Sequence, residues 1–281
     1  MKYQEILNKG SQILRLKNIR SANLDSELIL SKVLDKTREE ILINLNNKIN
    51  IYQKKEFDYY LNKRKNKKPI SYILGSKFFW KYKFFVNQSV LIPRPESEII
   101  VEQALKYMPY YKSMKILDIG TGSGCLVISI LKERSKCTAV AIDISNKALK
   151  VAKINAKLHH LENKIKFFNI DIDKFNSNKY DLIISNPPYV NKVDLNRLDE
   201  DVRIYEPKLA LYGGITGFDG IKKIIRKSYK LLKYNGRLII EIGDKQKNYT
   251  KKILIENGFY INKICKDFSD KDRCLVSTKI N

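Results

Sequence analysis

Apolar residues recur at helical spacing through the first 75 or so positions. Tyr3, Ile6, Leu7, Ile13, Leu14 and Leu16 mark one amphipathic helix. Residues 25–35 set Leu28, Ile29 and Val33, with Leu34 beside them, on the face of a second. Thr37-Arg-Glu-Glu40 reads as a capping box ahead of Ile41 and Leu42. A threonine hydroxyl and a glutamate three residues later satisfy each other's orphan amides. A further helix, about 51–66, ends in the basic run from Lys63 to Lys68, which reads as a solvated helix end.

Between Pro69 and Gly75 the texture changes. Trp80, Tyr82, Phe84 and Val86 alternate within 78–86, a period of two that predicts strand, as one arm of a hairpin. Leu91-Ile-Pro-Arg-Pro-Glu96 carries two prolines and cannot be helix interior. From about 97 the order is β-α-β-α. Helices are expected at 97–108, 125–133, 146–158, 220–233 and 246–257. Strands are expected at 115–119, up to Asp143, and at 164–171, 180–185, 236–242, 258–265 and 272–279. Seven strands with helices on both faces predict a doubly wound, Rossmann-like α/β fold. The expected division is a helical domain over 1–75, a β-hairpin linker over 76–95 and the α/β domain over 96–281.

Composition adds bounds. The 281 residues are 43% hydrophobic and 30% charged, enough apolar material for a real core. No apolar run approaches the roughly 18–20 residues of a bilayer span, and the first residues lack an apolar signal core, so a cytoplasmic protein is expected. Cys125, Cys137, Cys265 and Cys274 show no Cys-x-x-Cys spacing and do not cluster with His159 and His160, which argues against a metal site or a disulfide framework. The net charge of +24 attracts polyanions in principle. It comes from 43 lysines against 11 arginines, in a chain crowded with Asn, Ile and Tyr. Arginine reads phosphates and bases better than lysine does. The excess therefore fits an AT-rich coding bias as well as a nucleic acid partner, for which only non-specific contact is expected.

Two constellations carry chemistry. Asp118-Ile-Gly-Thr-Gly-Ser-Gly124 follows a strand and opens onto a helix. Glycines there let the backbone turn sharply and approach a ligand. No Lys-Ser/Thr follows, so the turn is not a P-loop. The next strand ends in Asp143, 19 residues after Gly124, where an acid can accept from both hydroxyls of a ribose. The competing role for Asp143 is a helix N-cap. The second constellation, Ser185-Asn-Pro-Pro-Tyr189, ends the fourth strand of the α/β region, at the sheet edge where ligands bind. The Asn186 amide oxygen and the Pro187 carbonyl offer two acceptors, and Tyr189 offers a flat ring. Together they suit a planar NH₂ group.

The glycine turn, the ribose acid and Asn-Pro-Pro-Tyr resemble the class I S-adenosylmethionine-dependent amino-methyltransferases. Five further stretches, Ala22-x-x-Asp-Ser-Glu-Leu-Ile-Leu30, Pro69-Ile-Ser-Tyr-Ile-Leu-Gly75, Leu91-Ile-Pro-Arg-Pro-Glu-Ser-Glu98, Glu206-Pro-x-x-Ala-Leu-x-Gly-Gly214 and Glu241-Ile-Gly-x-x-Gln246, resemble the peptide chain release factor glutamine N5-methyltransferases (PrmC/HemK). The likeness runs from about residue 22 to 273. It implies S-adenosylmethionine as methyl donor and the Gly-Gly-Gln glutamine of class 1 release factors as acceptor, with the 1–75 region as the substrate-recognition domain. By the same resemblance Gly120, Thr121, Gly122, Ser123 and Gly124 cradle the methionine end, with Asn186 also beside the cofactor. Asp143 holds the ribose, Asp171 and Ile172 flank the adenine, and Asn186, Pro187, Pro188 and Tyr189 hold the glutamine amide. The family often has an aromatic residue where this chain has Ile172, which can cover the base but cannot stack on it. Asn186 and the Pro187 carbonyl are the expected catalytic groups.

Three other readings share part of this pattern. One is a glutamine methyltransferase acting on a ribosomal protein, which the Leu91–Glu96 stretch fits less well. Another is an adenine N6-methyltransferase, which uses a similar pocket. Here, though, no separate target-recognition domain and no dense Arg/aromatic surface for a flipped base is visible. The third, a cofactor-binding module without catalysis, conflicts with an intact Asn186 and glycine turn.

Overall fold

The computed structural model describes residues 1–177 and 179–280. The chain forms two units, Met1–Ser76 with Asp199–Tyr205, and Lys77–Leu198 with Glu206–Asn281. Among the described residues no helix is long and apolar enough to cross a membrane.

In the first unit the helices Tyr3–Arg15, Ala22–Leu34 and Ile51–Lys65 close around Tyr3, Ile6, Leu14, Ile29, Leu30, Ile41, Phe57 and Leu61. The glycine in the middle of the first helix has a packing reason. A Cβ on Gly10 would lie 2.5 Å from Ser26 Oγ and 2.9 Å from Phe57 Cζ, so only glycine lets the three helices approach. The expected Thr37–Glu40 capping box forms, with Glu40 N donating to Thr37 Oγ1 at 3.2 Å and Thr37 N to Glu40 Oε2 at 2.7 Å. Two expectations fail here. Leu16 lies past the helix end and is 78% exposed. In the second helix the buried face is Ala22, Asp25, Ser26, Ile29 and Leu30, rotated from the Leu28–Val33 stripe. A buried ion pair decides that rotation. Asp25 Oδ2 accepts from Arg64 Nε at 2.6 Å and from Ser21 Oγ at 2.9 Å. The helix Glu200–Tyr205 belongs to this unit, through Tyr205 Oη donating to the Asn66 carbonyl at 2.7 Å.

β1 (Ser76–Phe79), which lies in the second unit from Lys77 onward, and β2 (Tyr82–Phe85) form a separate two-stranded sheet. The aromatic run is thus both arms and the turn between them, not one arm. Trp80 sits in the turn at φ +57°, a conformation that no aromatic pattern announces. It is held there by Trp80 N donating to Glu98 Oε1 (2.7 Å) and its indole donating to Glu133 Oε1 (3.2 Å).

The main sheet has seven strands: β3 (Lys115–Ile119), β4 (Thr138–Asp143), β5 (Ile165–Asn169), β6 (Tyr180–Ser185), β7 (Leu232–Glu241), β8 (Phe259–Lys266) and β9 (Asp272–Lys279). Their order is β5-β4-β3-β6-β7-β9-β8, parallel except for β9, which runs antiparallel to both neighbours. The fold is therefore Rossmann-like and mostly parallel. One apolar layer, including Ile100, Val101, Val127 and Ile130, covers one face; another, including Ile221, Ile225 and Leu254, covers the other. The continuous apolar runs Ile116–Leu117 and Leu182–Ile184 follow from burial on both faces. From β3 the chain winds outward through β4 and β5, then returns to place β6 on the other side of β3. That reversal opens a crevice beyond the carboxyl ends of β3 and β6.

Candidate active site

Both chemical motifs emerge at that crevice. Ile119, which ends β3, is in register with Ser185, which ends β6, and Ser185 Oγ donates to the Ile119 carbonyl at 2.7 Å. The glycine turn and the Asn-Pro-Pro loop therefore leave neighbouring strands at one level. They line a single cavity of about 370 Å³, together with Ile142, Asp143, Asp171 and Ile172.

The turn is tied down from below. Gly120 N and Thr121 N donate to the Ile142 carbonyl at 2.9 and 3.1 Å, and Gly124 N to Thr121 O at 2.8 Å. Thr121 Oγ1 donates to Asp118 Oδ2 at 2.6 Å. Gly122, at φ +57°, donates its N–H to Asp143 Oδ2 at 2.9 Å. Gly124, at φ +80°, caps the helix Cys125–Glu133, and a Cβ there would lie 3.0 Å from Ile128 Cδ1. Asp118 is fully buried, and that burial pushes its carboxyl up to about 7 against the hydrogen bond from Thr121.

Asp143 is not the helix cap. Ser145 has that role, accepting from Ala148 N at 3.2 Å. Asp143 Oδ1 instead accepts from Ser145 N at 2.8 Å and Oδ2 from Gly122 N. Each oxygen thus keeps a lone pair, enough for two hydroxyl donors. Burial raises the pKa of this carboxyl. Asp171 and Ile172 follow β5 by two and three residues, beyond a strand that ends at Asn169 rather than 171. Ile172 is 6% exposed and forms an apolar wall. Asp171 meets Lys223, whose ammonium lies 3.0 Å from Asp171 Oδ2 and 2.8 Å from Asp173 Oδ2.

Asn186, Pro187 and Pro188 line the cavity; Tyr189 does not. Its ring packs on the second apolar layer, and its hydroxyl donates to Glu241 Oε1 at 3.2 Å. The aromatic wall expected from Tyr189 is thus replaced by a brace behind the loop. Asn186 Nδ2 donates to Ser97 Oγ at 2.9 Å, and Ser97 Oγ donates to Glu241 Oε2 at 2.6 Å. The Asn186 Oδ1 atom has no partner among the described residues, which leaves an acceptor at the cavity.

Other motif residues frame this loop. Glu206, 4% exposed, accepts from Ile92 N at 3.1 Å and from Arg94 Nη2, tying the proline-rich segment to the start of the Glu206–Gly214 stretch. Gln246 accepts from Gly243 N at 2.8 Å and donates to the carbonyls of Tyr189 (3.2 Å) and Gly217 (3.1 Å). Sequence reasoning gave roles to none of Ser97, Lys223, Glu206 or Glu241. Ser97 and Glu241 are 144 residues apart, and no local pattern signals such a pair.

The donor set fits an S-adenosyl nucleoside. A glycine turn lines the cavity, a carboxylate with spare acceptor capacity stands at the next strand end, and an apolar wall follows the third. Beneath the turn the buried Asp118 carboxylate accepts from the Thr121 hydroxyl and holds that residue in place.

Comparison with known proteins places the chain in a family. Residues 111–279 match the methyltransferase domain family, and residues 5–75 match the PrmC N-terminal domain. A release factor glutamine methyltransferase of Clostridium acetobutylicum is 36% identical over 99% of this chain and 99% of its own length. Another, from Buchnera aphidicola subsp. Baizongia pistaciae, is 36% identical over 99% of this chain and 100% of its own. A solved methyltransferase from Pyrococcus furiosus, 19% identical, superposes with a TM-score of 0.53, covering 70% of this chain and 89% of that one, which speaks to the fold. With full-length relatives at this identity and a family match to each unit, the chain belongs to the release factor glutamine methyltransferase family.

Proposed function

We propose that the chain transfers the methyl group of S-adenosylmethionine to the side-chain nitrogen of the glutamine in the Gly-Gly-Gln motif of class 1 release factors. The observation that carries this reading is that Asn186, whose Oδ1 has no partner among the described residues, lines one cavity with the glycine turn. The PrmC N-terminal match over 5–75 supports it, since a generic methyltransferase has no reason to carry that domain.

In this reading the glycine turn receives the methionine end, Asp143 accepts from the ribose hydroxyls, and Ile172 covers the adenine. Bound S-adenosylmethionine supplies an electrophilic sulfonium methyl. The amide nitrogen of glutamine is a poor nucleophile because its lone pair is delocalised. Asn186 Oδ1 and the Pro187 carbonyl accept its two N–H bonds, hold the nitrogen in line and favour pyramidalisation. Positioning of this kind is worth up to ~7–11 kcal/mol of a barrier. No general base is needed before transfer, because an N-alkylated amide becomes acidic and loses its proton afterwards. Asn186 thus positions the amide and stabilises the positive charge that develops on it.

Asp143→Ala is expected to weaken binding of S-adenosylhomocysteine by roughly 1–3 kcal/mol, through lost charge-assisted hydrogen bonds and a loosened Gly122. Titration calorimetry measures it, and an unchanged Kd removes Asp143 from the ribose site.

The activity itself is tested by offering tritiated S-adenosylmethionine to release factor, ribosomal proteins, DNA and RNA in parallel, at near-physiological salt. Label is expected in release factor alone, and it disappears when the Gly-Gly-Gln glutamine is replaced. Stoichiometric label in nucleic acid, with none in release factor, would overturn the assignment and give the lysine excess a function.

A further inference from the structure

We propose that Ser97 and Glu241 are positioning residues that fix the polarity of the Asn186 amide, holding Nδ2 inward so that Oδ1 faces the substrate nitrogen. The inference rests on the amide-methylating function proposed above.

An asparagine amide has two nearly isosteric ends, and a rotation of its terminal group exchanges an acceptor for two donors. Only one orientation accepts an N–H from a substrate NH₂; the other sets donor against donor. Something must therefore choose between them. The hydrogen-bond directions behind the loop make that choice. An ionised carboxylate accepts and cannot donate. Glu241, 1% exposed, accepts a hydrogen bond from the Tyr189 hydroxyl on Oε1 and from the Ser97 hydroxyl on Oε2. The Ser97 proton is thereby committed, and Ser97 Oγ, itself on a residue only 3% exposed, is left as an acceptor. It takes Asn186 Nδ2 at 2.9 Å, which commits that end of the amide and leaves Oδ1 as the end free to accept from a substrate N–H in the cavity that Ser97 and Asn186 both line.

The polarity of this relay depends on the charge of Glu241. The groups around that carboxyl are Ser97 and Glu96 of the short helix Pro95–Ser97, Tyr189 of the loop after β6, Arg273 and the Cys274 thiol on β9, and the Cys125 thiol. Burial outweighs the hydrogen bonds from Ser97 and Tyr189 and the positive charge of Arg273, and it raises the carboxyl to about 7. Once protonated, Glu241 donates. If it donates to Ser97 Oγ, the serine hydroxyl turns toward Asn186, the amide rotates to accept it, and Nδ2 swings into the cavity. Turnover is therefore present with Glu241 ionised and is lost as pH falls through about 7.

The test is steady-state methylation of release factor at saturating S-adenosylmethionine, across about one pH unit either side of neutrality, with wild type, Ser97→Ala and Glu241→Gln. Saturation removes any effect of Asp118 on cofactor affinity. Ser97→Ala is expected to lower kcat roughly 10–100-fold at every pH, because the amide is no longer held. Its Kd for S-adenosylhomocysteine should stay within about twofold of wild type, which also shows that the variant is folded. Glu241→Gln is isosteric and cannot ionise, so its kcat should lose the acidic limb that wild type shows. Wild-type kcat in a folded Ser97→Ala, or an acidic limb retained in Glu241→Gln, would overturn the relay. Absence of label in release factor with the wild-type chain is a separate result, and it defeats the proposed function instead.

Discussion

Asn186→Ala is expected to lower kcat for release factor methylation by about 10²–10³-fold while leaving affinity for S-adenosylhomocysteine nearly unchanged. The truncation removes the amide oxygen that the Asn-Pro-Pro loop offers to the cavity, and no hydrogen bond ties the glycine turn to that side chain. Gly120, Thr121 and Gly122 are held by Ile142 and Asp143, on the β4 side of the crevice. The change also leaves Ser97 Oγ without the donor it accepts from, in a buried place, so some loss of stability accompanies the loss of turnover. Single-turnover kinetics beside calorimetry separate the two. Near-wild-type turnover in the variant would place the catalytic acceptor elsewhere. Asn186→Asp is a sharper form of the experiment. It keeps the outward oxygen but replaces the inward NH₂ with a second acceptor, which faces Ser97 Oγ with no proton between them.

The second large effect is on stability, far from the chemistry. Asp25→Ala is expected to destabilise the chain by roughly 3–5 kcal/mol, since it leaves the buried Arg64 guanidinium with only the distant Asp201 carboxylate, 3.9 Å away, as counter-charge. Arg64 is 7% exposed and Asp25 1%, and the pair meets at 2.6 Å. Arg64 also donates to the Lys68 carbonyl at 3.1 Å, which closes the end of the Ile51–Lys65 helix. Denaturant unfolding of the full chain, followed by far-UV circular dichroism, measures the loss. Replacing both partners by apolar residues of similar size should recover most of it, because the penalty comes from the uncompensated charge rather than from a missing attraction. If Asp25→Ala unfolds at the wild-type midpoint, the pair contributes nothing and water reaches Arg64.

Much of the fold is legible along the chain because its signals are local. The strands 115–119, 180–185 and 272–279 were predicted with the bounds that the structure has, as were the helices 125–133 and 146–158. Short apolar runs between a glycine turn and an amphipathic stripe leave few alternatives. The misplaced elements share a cause. Trp80 adopts φ +57° because Glu98 and Glu133 hold its two N–H groups, and both acids lie far along the chain. The second helix turns its Asp25–Leu30 face inward because Arg64 waits there, 39 residues away. β7 begins at Leu232 rather than 236, since its first residue pairs with Tyr180 across an irregularity in the β6–β7 ladder. In each case a distant partner overrides a local preference.

The candidate site divides along the same line. The glycine turn, Asp143 and Asn186-Pro-Pro belong to the sequence by itself: each sits at the end of a strand whose pattern is plain, and a parallel α/β sheet gathers strand ends at one edge. The family is legible there too, through five further stretches spread along the chain, because each of them is a run of contiguous residues. Only the tertiary structure decided the rest. It moved the Tyr189 ring out of the cavity and onto Glu241, joined Arg94 to Glu206, and set Ser97 between Asn186 and Glu241. The physical reason is that a buried carboxylate must find donors wherever the fold brings them. The donors that Glu241 found come from segments 52 and 144 residues away, a distance over which no periodicity or capping rule carries information.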